Sequence, residues 1–160
     1  MEKRNRAMLL LAMADEVYRL YFAFRELEES TPCPGGSLGR SILLTLHLQG
    51  RRSVPDLAYR HSLTRQRVQQ VVNVLLREEL LHRRENPGHK RSYLLELSGS
   101  GRKRARELLH QERKFFRNRI SWVKDRKIID CTLIMREFRE EMERRRESGS
   151  QKAGRLFSAG

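Results

Sequence analysis

SVPDLAYRHSLTRQRVQQVVN, running from Ser53 to Asn73, carries two helix starts in close succession. Ser53 has Asp56 three positions on and Pro55 in the first turn, a capping-box arrangement in which the missing proline N–H costs nothing. Leu57, Ala58 and Leu63 are the expected inward residues of this first helix, with Ala58 small enough for a close crossing. A turn at His61-Ser62-Leu63 leads to Thr64, which can cap a second helix. There Val68, Val71, Val72, Leu75 and Leu76 recur at helical spacing, leaving Arg65, Gln66, Gln69, Gln70, Asn73 and Arg77 on the other face and Arg67 near the boundary. The layout predicts a helix-turn-helix.

Two short extended runs follow, Leu80 to Arg84 and Arg91 to Leu97, around Glu85-Asn86-Pro87-Gly88-His89-Lys90. This reads as a hairpin with a cationic tip. A basic loop beside a polar helix is spaced to enter neighbouring grooves of duplex DNA. Arginine pairs bidentately with guanine O6 and N7, and Gln or Asn with adenine N6 and N7. Arg65, Gln66 and Gln69 are the expected base contacts, while Thr64, Arg67, Gln70 and Asn73 suit bases or phosphate. Ser53, Arg84, His89, Lys90 and Arg91 are the candidate wing and backbone contacts. A solvated helix face and an ordinary surface turn compete with this reading, but the capped helix before and the basic hairpin after favour the DNA-binding one.

Charge agrees with the motif. The 160-residue chain has 34 Lys and Arg against 20 Asp and Glu, a net of +14. Residues 1–50 carry 6 basic and 6 acidic groups, residues 51–91 carry 10 and 4, and residues 102–160 carry 18 and 9. The positive field begins where the helix-turn-helix begins, and such a field attracts polyphosphate with affinity that falls as salt rises.

Outside this unit, apolar residues at helical spacing predict a long helix over about 3–29, ended by the breakers Thr31-Pro32-Cys33-Pro34-Gly35-Gly36. Ser37 or Ser41 is the expected cap of a short helix carrying Ile42, Leu43, Leu44, Leu46 and Leu48, which Gly50 terminates. Ser98 caps a helix over about 99–122, and a last helix covers about 127–146, with Ile128, Ile129, Leu133, Ile134, Phe138 and Met142 on one side. Their broad apolar stripes exceed what a module of this size needs to cover itself, which points to a homodimer.

From Ile42 to Leu109 the chain resembles the winged helix of the multiple-antibiotic-resistance regulator (MarR) family. His89-Lys90-Arg91 corresponds to the family's wing run Asp-Arg-Arg, and Leu97-Ser98-Gly99-Ser100-Gly101 to its Leu-Thr-x-x-Gly. Arg91 aligns with the minor-groove arginine, and His89 stands where the family has an acid. The resemblance implies a mainly α fold with a small β-wing: a winged helix-turn-helix with N- and C-terminal dimerisation helices. The boundaries follow as 1–36 for the N-terminal dimerisation helix and loop, 37–100 for the winged helix-turn-helix, 101–147 for the C-terminal dimerisation helices and 148–160 for a flexible tail. It further implies small, aromatic or anionic effectors, for which Tyr18, Tyr21, Phe22, Arg25 and His47 are the candidate lining residues. Core packing is the competing role for the aromatic ones.

The expected function is a cytoplasmic, dimeric, sequence-specific regulator of double-stranded DNA, a repressor at an inverted-repeat operator that an effector can relieve. Nonspecific architectural DNA or RNA binding through the basic C-terminal region, and a helical protein-interaction adaptor, are the alternatives. An enzyme is disfavoured, because the sequence has no glycine-rich phosphate loop and no nucleophile motif. No cofactor or metal is expected, since the histidines join no ligand cluster. No apolar stretch approaches a membrane span. Cys33 and Cys131 read as reduced thiols, and Cys33 has no basic residue beside it in sequence to activate it.

Overall fold

The computed structural model describes residues 2–88 and 92–157, with side chains described for 5–25, 27–88 and 92–144. Residues 1–115 and 116–160 form two units. In chain order the elements are α1 (Glu2–Ser30), α2 (Gly36–Gln49), β1 (Arg52–Ser53), α3 (Val54–Arg60), α4 (Arg65–Arg77), β2 (Leu81–Glu85), β3 (Tyr93–Leu97), α5 (Gly99–Ile120) and α6 (Asp125–Phe157). This is the mainly helical, winged architecture that the sequence predicts.

The first unit is built around the apolar stripe of α4. Val68, Val71, Val72 and Leu75 are buried there. They join Ile42, Leu43 and Leu46 of α2, Leu57 and Ala58 of α3, Leu81, Leu95 and Leu97 of the sheet, and Ala105 and Leu108 of α5 in one core. Fully burying an aliphatic side chain of this size contributes about 1.5–3 kcal/mol, so the stripe alone fixes how α4 seats. Its polar face is left to solvent.

The sheet has the order β1-β3-β2, antiparallel throughout, with Leu81 opposite Leu97 and Glu85 opposite Tyr93. β1 was not expected. Two residues are too few to show an alternating pattern, yet Arg52 and Ser53 pair with Leu95 and Leu94 and close the sheet's second edge.

Local capping follows the sequence in three places. Ser53 Oγ accepts from the Asp56 N–H, and the Asp56 carboxylate accepts from the Ser53 N–H at 2.9 Å. Thr64 Oγ1 accepts from the Arg67 N–H at 3.2 Å, and Ser98 Oγ from the Gly101 N–H at 2.8 Å.

Elsewhere tertiary contact overrides the local signal. Neither Ser37 nor Ser41 caps α2: the helix starts at Gly36, Gly35 occupies the cap position with φ 79°, and Ser37 Oγ donates to Glu28 at 2.6 Å. A Cβ on Gly35 would stand 2.6 Å from Val71 Cγ1, so the approach of α4 excludes any side chain there. Leu63 is not inward but 41% exposed. Ser62 takes a positive φ of 52° and the Leu63 N–H returns to the Ala58 carbonyl, a closure that turns the chain outward before α4 begins.

α1 exposes Met8, Leu9, Leu11, Tyr18, Tyr21 and Phe22, and Tyr21 meets Phe22 edge-on with ring centroids 5.6 Å apart. In the second unit α6 exposes Ile129, Leu133, Ile134 and Met142. Residues 148–157, read from sequence as a tail, continue α6 as helix. Gln151, Lys152, Ala153, Arg155 and Leu156 are good helix formers, and extending a helix that already exists needs no new nucleus.

Candidate nucleic-acid interface

The side chains on the free face of α4 are sorted by what they touch. Thr64, Arg65, Gln66, Arg67, Gln70 and Asn73 are exposed. Gln69 is half-buried, because Tyr93 of β3 reaches across and donates its hydroxyl to Gln69 Oε1 at 3.0 Å. Gln69 Nε2 in turn donates to Asn73 Oδ1 at 2.8 Å, one helical turn on. The Arg83 guanidinium lies over the Tyr93 ring, 4.9 Å from its centroid. A continuous path of contacts therefore joins the stem of the hairpin to the exposed face of the second helix.

That stem borders an open cleft of about 690 Å³ lined by Arg83, Arg84, Glu85, Asn86, Pro87, Ser92 and Tyr93. Asn86 holds both sides of it. Its Oδ1 accepts from the Gly88 N–H at 3.2 Å, an Asx turn, while its Nδ2 donates to Ser92 Oγ at 3.0 Å. The sequence signal for this was the Asn-Pro-Gly turn, but Asn86 was not singled out. His89, Lys90 and Arg91, the expected wing-tip contacts, lie outside the described residues.

The remaining backbone candidates fare differently. Ser53 is buried, and its hydroxyl is committed to Asp56, accepting from the N–H and donating to the carboxylate at 2.6 Å. Both donors of Ser53, its N–H and its hydroxyl, are thus engaged by Asp56 within the cap. Arg84 donates through Nε to Glu96 Oε2 at 2.7 Å. Arg51 donates to Glu96 Oε1 at 2.8 Å from the other side. Glu96 thus carries two arginines, and these hydrogen bonds, Arg84 first and Arg51 second, lower its pKa from 4.5 to about 2. Glu96 stays ionised, and Arg84 keeps its other N–H groups available.

The effector candidates do not converge in this single chain. Tyr18, Tyr21 and Phe22 are exposed on α1, Arg25 lies 3.7 Å from Glu29 on the same helix, and His47 is half-buried near the end of α2. None of them lines the cleft at the hairpin.

Cys33 has cationic neighbours in space that the sequence around it does not show. Folding brings Arg104 and Arg40 near it, and both favour the thiolate, yet desolvation by burial is larger and pushes the thiol pKa up. Among the described residues no group of three His, Cys, Asp or Glu side chains could hold a metal ion, and no helix is long and apolar enough to cross a membrane.

A polar helix seated by its apolar stripe, with a three-stranded winged sheet locked against it, is the geometry of a winged helix-turn-helix. Residues 40–92, which span it, match the model of the MarR family. The MarR likeness in fold extends over most of the chain. The transcriptional regulator BldR from Sulfolobus solfataricus is 21% identical, with a TM-score of 0.68 over 87% of this chain and 99% of its own. A MarR transcriptional regulator from Methanosarcina mazei Go1 is 18% identical, with a TM-score of 0.68 over 81% of this chain and 97% of its own. BpsR from Bordetella bronchiseptica, whose DNA binding is regulated by 6-hydroxynicotinic acid, is 17% identical with a TM-score of 0.64, over 79% and 90% of the two chains. No curated protein sequence matches the chain. The first two of these proteins are transcriptional regulators by name, and the likeness to them is one of fold.

Proposed function

We propose that this chain is a dimeric, sequence-specific regulator that represses transcription by occupying an inverted-repeat operator in double-stranded DNA. One observation carries the reading. α4 buries Val68, Val71, Val72 and Leu75 and leaves Arg65, Gln66, Arg67, Gln70 and Asn73 exposed beside a basic hairpin. Those side chains are long enough to reach base edges in the major groove, and the amides at the start of α4 favour a phosphate oxygen. Lys90 and Arg91, which lie between β2 and β3 in the sequence, would supply cations for the adjacent minor groove, and Arg84 one for the backbone.

The exposed apolar side chains of α1, and separately those of α6, support a twofold dimer, since apolar surface is costly to leave in water. Twofold symmetry sets two recognition helices about one DNA turn apart, ~34 Å, which an inverted repeat matches. Occupancy of such a site excludes polymerase. Tyr18, Tyr21, Phe22, Arg25 and His47 would line an effector site once a second copy covers α1, with rings to stack on an aromatic acid and Arg25 to pair with its carboxylate. The regulation of BpsR by 6-hydroxynicotinic acid supports this class of ligand.

A mobility-shift titration with duplexes of random and selected sequence, repeated at rising salt, tests the reading. Tight binding to a selected inverted repeat, with much weaker binding to either half-site alone, is the expected result. Equal affinity for all duplexes overturns the operator reading.

A further inference from the structure

The path from Tyr93 through Gln69 to Asn73 has a direction. A free Gln side chain pairs with adenine because it can offer Nε2–H to N7 and accept at Oε1 from N6–H. Here Oε1 is engaged by the Tyr93 hydroxyl at 3.0 Å, and Asn73 Oδ1 is engaged by Gln69 Nε2 at 2.8 Å. Each acceptor of the pair already takes one hydrogen bond from within the protein, which leaves one lone pair apiece. Each amide nitrogen carries two hydrogens. One hydrogen of Gln69 Nε2 is used on Asn73, leaving its second and both hydrogens of Asn73 Nδ2. What the two residues keep for a ligand is weighted toward donors, three N–H groups against two lone pairs, and each lone pair is on an oxygen already turned to a partner within the protein.

We propose that Tyr93 sets base preference at one position of each half-site: by holding the Gln69 amide with its oxygen inward, it turns the Gln69–Asn73 pair from a reader of adenine into a reader of acceptor edges, guanine above all. Guanine presents two acceptors, N7 and O6, in the major groove, whereas adenine presents N6–H₂, a donor that must share an oxygen already engaged by Tyr93 or by Gln69. Tyr93 is a positioning residue in this scheme and touches no base. Its half-buried ring packs against the core from β3 and lies under the Arg83 guanidinium, 4.9 Å from the ring centroid, so the hydroxyl has a fixed point from which to act. This specificity rests on the proposed sequence-specific binding of duplex DNA by α4.

The test is binding-site selection from randomised duplexes with the full-length wild type, Tyr93→Phe and Gln69→Ala. Gln69→Ala identifies the position, as the one base pair in each half-site where discrimination collapses. Wild type should prefer guanine to adenine at that pair, about tenfold, within the range of one bidentate contact. Tyr93→Phe keeps the ring and the Arg83 contact but removes the hydroxyl. It should shift that one position toward adenine by about the same factor, with the other positions and the thermal midpoint unchanged. A purely structural role for Tyr93 would lower affinity for every site together and leave the preference as it was. The proposal is overturned if wild type selects adenine at the Gln69 position, if Gln69→Ala changes no position, or if Tyr93→Phe selects the wild-type half-site. Failure of wild type to select any sequence overturns it too, together with the operator reading, and so is distinguishable from the other three.

Discussion

Arg40 Nη1 donates to Glu112 Oε1 at 3.3 Å, joining α2 to α5 through an ion pair whose arginine side chain is only 7% exposed. The other end of the guanidinium donates to the Thr31 carbonyl at 3.0 Å and to Thr31 Oγ1 at 2.5 Å, at the C-terminal end of α1. Three helices thus meet on one side chain, and its charge is placed at the carbonyl end of α1, where the helix dipole favours a cation. Arg40→Ala removes the cation and strands these acceptors and the Glu112 carboxylate. Breaking a buried pair from one side costs about 3–5 kcal/mol. Because Glu112 remains partly solvated, the expected loss is about 3 kcal/mol, read from denaturant unfolding at fixed protein concentration. Arg40→Met should lose less than Arg40→Ala, since it keeps the packing volume.

Glu96 gives the winged sheet a pH dependence of known sign. Its folded pKa of about 2 lies below the ordinary 4.5, so its contribution is fully present above about pH 4.5 and lost as pH falls through about 2. In Glu96→Gln that contribution is absent at every pH. The difference in thermal midpoint between wild type and Glu96→Gln should therefore be constant above pH 5 and shrink as the pH is lowered toward 2. A difference that grows on acidification would show that Arg51 and Arg84 are not held by the carboxylate.

Which features were legible in the sequence depended on how far apart the partners lie. The caps at Ser53, Thr64 and Ser98 bond within three residues, and the stripe Val68, Val71, Val72 and Leu75 repeats within one helix, so each announces itself locally. Arg40 has no such local partner. Its partner Glu112 is 72 residues away, and nothing near position 40 indicates that the C-terminal end of α1 will fold over it. Tyr93 and Gln69, 24 residues apart, and Arg51 and Glu96, 45 apart, were hidden for the same reason. Gly35 is the sharpest case, since a side chain there is excluded by a methyl group of Val71, 36 residues further along the chain. The candidate site was found because base-reading residue types cluster on one helix; their division into free and internally engaged groups needed the fold.

Arg65 and Arg91 should fail in different ways when removed. Arg65 is exposed in the first turn of α4, where a bidentate contact to guanine is worth about 1–3 kcal/mol of discrimination. Arg65→Ala is expected to relax preference at one base pair while leaving nonspecific affinity nearly intact. Arg91→Ala should weaken binding to all sequences and reduce the slope of log affinity against log salt by about 1, as loss of one phosphate-neutralising cation requires. Competition titrations against random duplex at several salt concentrations separate the two.

The thiol of Cys33 should be slow to react in the folded protein. Burial raises its pKa despite Arg104 and Arg40, which reduces the thiolate fraction near neutrality, and the same burial limits access. In a Cys131→Ser background, alkylation of Cys33 by iodoacetamide at pH 7.5 is expected to be at least about tenfold slower than in denaturant, because it awaits thiolate formation and local opening. Equal rates would mean that the loop after α1 does not shield it.

Gly101 is required by a close backbone approach. A Cβ there would stand 1.9 Å from the Leu80 carbonyl oxygen and 2.9 Å from its carbon, and backbone cannot swing aside as a side-chain end can. The first turn of α5 is tied at this point to the bend between α4 and β2. Ser98 Oγ and Ser100 Oγ donate to the Glu79 carbonyl at 2.6 and 2.8 Å, and the Ser98 N–H donates to the Leu80 carbonyl at 3.1 Å. To admit a methyl group, α5 must lift off that bend and break these bonds. Gly101→Ala is therefore expected to destabilise by about 2 kcal/mol or more, although alanine is the better helix former. Gly99→Ala, two residues earlier, supplies the control: its Cβ would meet nothing within 4 Å. That change should be neutral or stabilising by up to about 0.5 kcal/mol, because it restricts only the unfolded chain. Chemical denaturation of the two variants side by side checks both signs, and equal destabilisation would rule out the contact with Leu80 as the cause.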